Sequence, residues 1–254
     1  PKYLYDIINK NIGIPVSKFL TLLRTAKIEI NKDEIEIFAK GKSLPAKIKI
    51  DEDFSEFLGW FVAEGSYTQK DEVRLSINKN ELEHVLMLCE RLFGDVTVYP
   101  NKNSNGVDLI IRSTVLVKFL KNVLGFSGDA RKKGINDLIF NLSLKNILAF
   151  LRGYFYGGDS IYLNQHGVPT VEATTYSQAM ADDLSHLLLF CGIVAKIYKK
   201  ADENRFRVCI TGADNLSRFK AIGFADVRKN LMIDNYLAQI DWQRSMQIPS
   251  TPEI

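Results

Sequence analysis

The sequence predicts an α+β protein made of two near-copies of one αββαββα unit, related by a pseudo-twofold axis and preceded by a small N-terminal extension. Three observations lead there. A glycine- and aromatic-rich phrase occurs twice, FLGWFVAEGS from Phe57 and FLRGYFYGGDS from Phe150, 93 positions apart. The stretches after each phrase repeat the same order of helical and alternating hydrophobic periodicity. Both copies then close on matching phrases, VLGFSGDARKK and AIGFADVRKN, so that Phe57 to Phe126 spans 69 residues and Phe150 to Phe224 spans 74.

Each element has a local reason. The first 50 residues lie outside the repeat and read as a helix-like YLYDIINKN, a turn GIP, a second helix-like run from Ser17, then alternating IEIN and EIEIF. The first half is expected over 51–148 and the second, with a C-terminal tail, over 149–254. Each half opens on a helix with a small-residue stripe: Gly59 and Ala63 lie four apart, as do Gly153 and Gly157. A glycine inside a helix costs about 1 kcal/mol relative to alanine, so such positions need a purpose; close approach of two helix backbones supplies one. Next comes an alternating strand, VRLSINK in the first copy, and then an amphipathic helix. Leu82, Val85, Leu86, Cys89 and Leu92 recur at helical spacing, as do Leu184, Leu187, Leu188 and Cys191, and the runs stop at Gly94 and Gly192. Two more β-like stretches follow in each copy, VTVYP with VDLIIRS and KIYKK with FRVCITG, joined by the polar turns NKNSNG and ADENR.

Composition agrees with a folded chain and excludes several classes. The chain has 254 residues, 46% hydrophobic and 25% charged, which is the usage of a globular protein. No apolar run approaches the roughly 20 residues needed to cross a bilayer, and PKYLYDIINKN lacks the pattern of a secretory leader. We therefore expect a cytoplasmic chain with no membrane partner. Cys89, Cys191 and Cys209 are odd in number with no CxxC spacing, so they read as buried small hydrophobes. His84 and His166 have no second ligand at metal spacing. A net charge of +3 is too small by itself to indicate nucleic acid.

The repeat points to chemistry where the opening helices end. Pairing them brings Glu64 and Asp159 together, where the helix dipoles and mutual repulsion both disfavour negative charge. Divalent cations would reverse that penalty. Hard oxygen donors suit Mg²⁺, and paired acids around metal suit phosphodiester hydrolysis. Strand parity offers a surface for the nucleic acid: Arg74, Ser76 and Asn78 point opposite to Val73, Leu75 and Ile77, and the same parity offers Lys196, Tyr198, Lys200, Arg205 and Arg207, with Thr211 in line. Arg112 ends a further strand. The turns holding Asn101, Lys102, Asn103 and Asn105, and Asn164, Gln165 and His166, extend this surface or serve only as hairpin turns. Trp60, Phe61, Tyr154 and Phe155 are expected as core anchors.

FLGWFVAEG and FLRGYFYGGDS, with LPAKIKID ahead of the first and the basic RKK and RK closing each half, resemble the LAGLIDADG homing endonucleases in their two-motif, single-chain form from archaeal introns and inteins. The resemblance covers roughly residues 44–237. It implies an αββαββα duplication, two antiparallel sheets forming a saddle over the DNA major groove, and Mg²⁺- or Mn²⁺-dependent cleavage of a long double-stranded target by a monomer. It makes Glu64, followed by Gly65, the first metal-binding acid. The second motif departs: Gly158 stands at the acid position and Asp159 at the glycine position. One helical step rotates a side chain by about 100°, so reduced, strand-biased or absent cleavage is expected. The resemblance also implies catalytic lysines at Lys132 or Lys133 and at Lys229, and places Asn78 and Lys79 where polar groups order the site. Pro1 and PSTPEI lack the ends a self-splicing element needs, so a freestanding, intron-encoded enzyme is expected. The alternative is a non-cleaving descendant that binds DNA or RNA as a maturase-like splicing cofactor or regulator.

Overall fold

A computed structural model of the protein describes residues 14–27, 35–39, 41–69, 71–101, 105–126, 133–157, 160–200, 205–224 and 226–240. The extension contributes α1 (Val16–Ala26) and a two-stranded ribbon, β1 (Glu36–Ile37) with β2 (Leu44–Pro45). The segments YLYDIINKN and IEIN fall outside the described residues.

The duplication is plain in the element order. The first half runs α2 (Glu52–Glu64), β3 (Gly65–Gln69), β4 (Glu72–Asn78), α3 (Leu82–Phe93), β5 (Thr97–Pro100), β6 (Gly106–Arg112) and α4 (Thr114–Lys118), which continues as a π-helical turn. After a short α5 (Asp137–Phe140), the second half runs α6 (Leu144–Tyr156), β7 (Ser160–Leu163), β8 (Pro169–Thr175), α7 (Gln178–Phe190), β9 (Lys196–Lys200), β10 (Arg205–Ile210), α8 (Ala213–Phe219) and a closing α9 (Val227–Leu237). The helix α6 starts ahead of residue 149, because Ser143 caps it: its side chain accepts from the Asn146 N–H. Both four-stranded sheets are antiparallel with the same order, β3-β4-β6-β5 and β7-β8-β10-β9. β10 stops at Ile210, so Thr211 lies beyond it.

The starts and stops follow backbone chemistry. Asp51 caps α2, its Oδ1 accepting from the Phe54 N–H at 3.1 Å. Gly94 and Gly192 end α3 and α7 at φ of 71° and 72°, where only glycine is unstrained.

The core is built around α2 and α6. Every residue of α2 from Phe54 to Val62 is buried, since this helix has its own sheet on one side and α6 on the other. Trp60, Phe61, Tyr154 and Phe155 are all buried, as anchors should be. A Cβ placed on Gly59 would sit 2.0 Å from the Phe150 carbonyl oxygen, and one on Gly153 would sit 2.0 Å from that of Glu56. The two contacts are counterparts under the duplication. The small-residue stripes are thus where the backbones touch. A polar tie crosses the same junction: Glu56 of α2, which pairs with His84 of α3 in its own half, lies 3.8 Å from Arg152 of α6. Cys89 and Cys209 are buried, whereas Cys191 is only half-buried. Among the described residues, no helix is long and apolar enough to cross a membrane.

Candidate metal centre and nucleic-acid interface

Glu64 is the last residue of α2, and the chain passes at once into β3 through Gly65. No side chain fits at Gly65: a Cβ there would approach the Phe61 carbonyl oxygen to 2.3 Å. The partner helix closes over the acid, for a Cβ on Gly157 would lie 2.9 Å from Glu64 Cγ and 3.2 Å from the Trp60 ring. The C-terminal ends of α2 and α6 therefore meet at this carboxylate.

The electrostatics follow from that enclosure. Burial foremost raises the Glu64 carboxyl to about 7; Lys133 pulls it down and Glu81 adds to the rise. Lys133 Nζ donates to the carbonyls of Val62 at 2.8 Å and Ala63 at 3.0 Å, placing a cation on the negative end of α2. Burial holds its own ammonium below the ordinary lysine range, opposed by Glu64. Of the two lysines expected, the structure brings Lys133 to the acid; Lys132 lies outside the described residues.

Lys133 owes its place to the second half. The Ser177 hydroxyl donates to the Lys133 carbonyl at 2.6 Å while capping α7, and Asp183 accepts from the Ile135 N–H at 2.8 Å. Lys229, in the first turn of α9, acts reciprocally on the first half, its charge lowering a Glu81 carboxyl that burial raises. Glu81 forms a capping box with Asn78, whose N–H donates to Glu81 Oε2 at 2.9 Å. Asn78 is thus a helix cap beside the site, with Lys79 exposed next to it. Glu64, Glu81, Lys133 and Lys229 share one electrostatic neighbourhood. Gly158 and Asp159 lie outside the described residues, among which no group of three or more His, Cys, Asp or Glu converges. The donors present suit a hard cation: a desolvated carboxylate with a second carboxylate near it, at a helix C-terminus. Sequence reading missed Glu81 and Ser177; the Asn78-to-Glu81 capping spacing was the available signal for the first.

The sheets keep the expected parity. Val73, Leu75 and Ile77 are buried, while Ser76 and Asn78 are exposed and Arg74 half-buried. Arg74 Nε donates to Ser66 Oγ at 3.1 Å and its Nη1 lies 3.7 Å from Asp108, which also accepts from Ser76 at 2.7 Å. Arg112 is fully engaged, with Glu72, Thr97 and Tyr99. On the second sheet Lys196 and Tyr198 are exposed, Arg205 and Arg207 half-buried, and Arg207 Nη1 lies 3.3 Å from Glu172. The Lys200 backbone pairs with Arg205. Asn164 Oδ1 shapes its hairpin by accepting from the N–H groups of His166 and Val168; Gln165 and His166 are exposed there. Asn101 and Asn105 are exposed, and Lys102 and Asn103 fall outside the described residues. Glu72, Asp108 and Glu172 share the parity of the arginines, a signal not drawn from the sequence.

A family model described as a LAGLIDADG-like domain matches residues 145–222. The chain carries a LAGLIDADG-like domain. Its fold is similar to that of I-DmoI in complex with DNA and Mn, with a TM-score of 0.52 at 14% identity over 68% of this chain and 97% of that one. It is likewise similar to full-length DUF199/WhiA from Thermatoga maritima, with a TM-score of 0.53 at 19% identity over 78% of this chain and 64% of that one. Among archaeal relatives of this LAGLIDADG chain, the RNA polymerase subunit Rpo1C of Methanocaldococcus jannaschii is 25% identical over 203 residues, 79% of this chain and 23% of that protein. A DNA polymerase of Thermococcus aggregans is 30% identical over 230 residues, 82% of this chain and 12% of its own length. The LAGLIDADG chain thus spans a quarter or less of either.

Proposed function

We propose that this LAGLIDADG chain is a site-specific DNA endonuclease module that hydrolyses phosphodiester bonds of a long duplex with Mg²⁺ or Mn²⁺. The observation that carries the reading is the enclosed, hard-to-ionise Glu64 at the junction of the two helix ends, with Lys133 beside it. A bound divalent cation there would offset the charge of Glu64 and polarise a phosphoryl oxygen. Glu64 would hold the cation, Lys133 and Lys229 would stabilise charge developing on the phosphate, and the outer sheet faces would grip and read the duplex. A neighbour of similar fold was crystallised with DNA and Mn, which supports reading this chain as a metal-using, DNA-directed module.

The relatives' names point to a mobile module. One stretch shared by an RNA polymerase subunit, DNA polymerases, a replication factor subunit and a transcription factor, and covering a minor part of each, belongs to none of their separate activities. We read it as an insert carried in unrelated hosts, consistent with homing.

The exchange of Gly158 and Asp159 favours a second reading, a LAGLIDADG protein that binds DNA or RNA without cutting. Duplexes selected from a randomised library, then incubated with Mg²⁺ or Mn²⁺, separate the two. Cleavage or one-strand nicking that Glu64→Gln abolishes while binding persists supports the endonuclease; intact duplex under tight binding supports the alternative.

A further inference from the structure

The outer face of the second sheet contains a carboxylate where a DNA-binding surface has least use for one. Glu172 lies on β8, an interior strand, and its side chain is only 11% exposed. It accepts from Tyr162 Oη of β7 at 3.1 Å, from Arg207 Nη1 of β10 at 3.3 Å, and from Cys209 Sγ at 3.6 Å. Burial foremost, aided by Glu172, pushes the Cys209 thiol up to about 11, so the thiol stays protonated and keeps donating. Three donors from both flanking strands hold this carboxylate in one place.

Arg207 is held in turn. Glu172 is its one hydrogen-bonded side-chain partner among the described residues, and its Nε is buried without one. Arg112 on the first sheet differs, since all three of its nitrogens are engaged within the protein. Arg207 therefore retains donors on a guanidinium whose orientation is set and whose charge Glu172 balances. Balanced charge weakens the attraction for a phosphate, whereas a fixed fork of donors suits an edge with two acceptors. In the major groove that edge is the O6 and N7 of guanine. Lys196, exposed near the edge of the same sheet, is the residue type that grips phosphate without reading sequence.

We propose that Glu172 is a specificity-determining positioning residue that presents Arg207 to one guanine of the target duplex. The inference rests on the DNA-binding reading above but not on cleavage.

The experiment is selection of binding sites from a randomised duplex library without metal, using the wild-type chain and Arg207→Lys, Arg207→Ala, Glu172→Gln and Glu172→Ala. The wild type enriches guanine at one position. Arg207→Lys keeps the charge but not the fork, so preference there falls about 5- to 150-fold, the span of one bidentate contact, with other positions unchanged. Glu172→Gln, nearly isosteric, lowers preference at that same position, a change that a purely structural role would not produce; it also stands in for Glu172→Ala should that variant fail to fold. Uniform weakening across all sequences in Arg207→Ala, with the salt slope reduced by about one, would make Arg207 a phosphate contact and overturn the proposal. So would unchanged preference in Arg207→Lys or Glu172→Gln. A wild type that enriches no site refutes the DNA-binding reading itself, and this inference with it.

Discussion

Replacing Gly59 or Gly153 with alanine tests the helix contact on which the site depends. Each new Cβ would fall 2.0 Å from a backbone carbonyl oxygen of the opposite helix, Phe150 for Gly59 and Glu56 for Gly153. Carbon contacts are most favourable near 3.5 Å, so the helices must part by roughly 1 Å or more. Alanine gains about 1 kcal/mol of helix propensity over glycine. Overpacking costs about 1–3 kcal/mol, and here it strains backbone that no side-chain rotation relieves. The upper end of that cost applies because backbone is what clashes, and about 3 less the gain of about 1 leaves a net destabilisation of about 2 kcal/mol, a melting point lower by roughly 4–8 °C in a chain of this size. One separation relieves both clashes, so the double variant should lose less than the sum of the two single losses. Thermal unfolding of the three variants reads this directly. Melting points at or above wild type would refute the close packing, as would strict additivity.

Other expectations follow from single groups. Because Glu64 is raised to about 7 from 4.5, stability is fully present below pH 4.5 and declines as pH rises through 7. The full shift would correspond to about 3 kcal/mol, with the realised value smaller because solvent reaches the carboxyl. Glu64→Gln should flatten that slope in melting curves between pH 5 and 8, and Mn²⁺ should raise the wild-type melting point more at pH 8 than at pH 5. Ser177→Ala removes both the cap of α7 and the hold on Lys133, so it should cost about 1–2 kcal/mol and slow cleavage beyond what matched-temperature controls explain; unchanged cleavage kinetics would count against that hold. Exchanging the order at the second motif, with Gly158→Asp and Asp159→Gly together, should increase double-strand cutting over nicking on a selected duplex.

Much of the fold was legible because duplication states each feature twice. Gly59 alone is an unexplained helical glycine, but with Gly153 it marks a contact that the structure confirms. The parity of VRLSINK and FRVCITG assigned inner and outer faces correctly, since side chains on a strand alternate strictly. The ties across the junction were not legible. Ser177 and Lys133 are far apart in sequence and belong to different halves, so no periodicity relates them. The role of Glu172 emerges only from strand register, which sets Ser160 and Cys209 opposite it on its two neighbours.

The ends of α2 and α6 are expected to form one cation site on bound DNA. Diffraction from crystals of the chain with a selected duplex and Mn²⁺, recorded at a wavelength where manganese scatters anomalously, tests it directly. An anomalous peak in contact with a Glu64 oxygen, absent in Glu64→Gln, is the expected result. A bound duplex with no peak at Glu64, or with manganese held elsewhere on the protein, would contradict it.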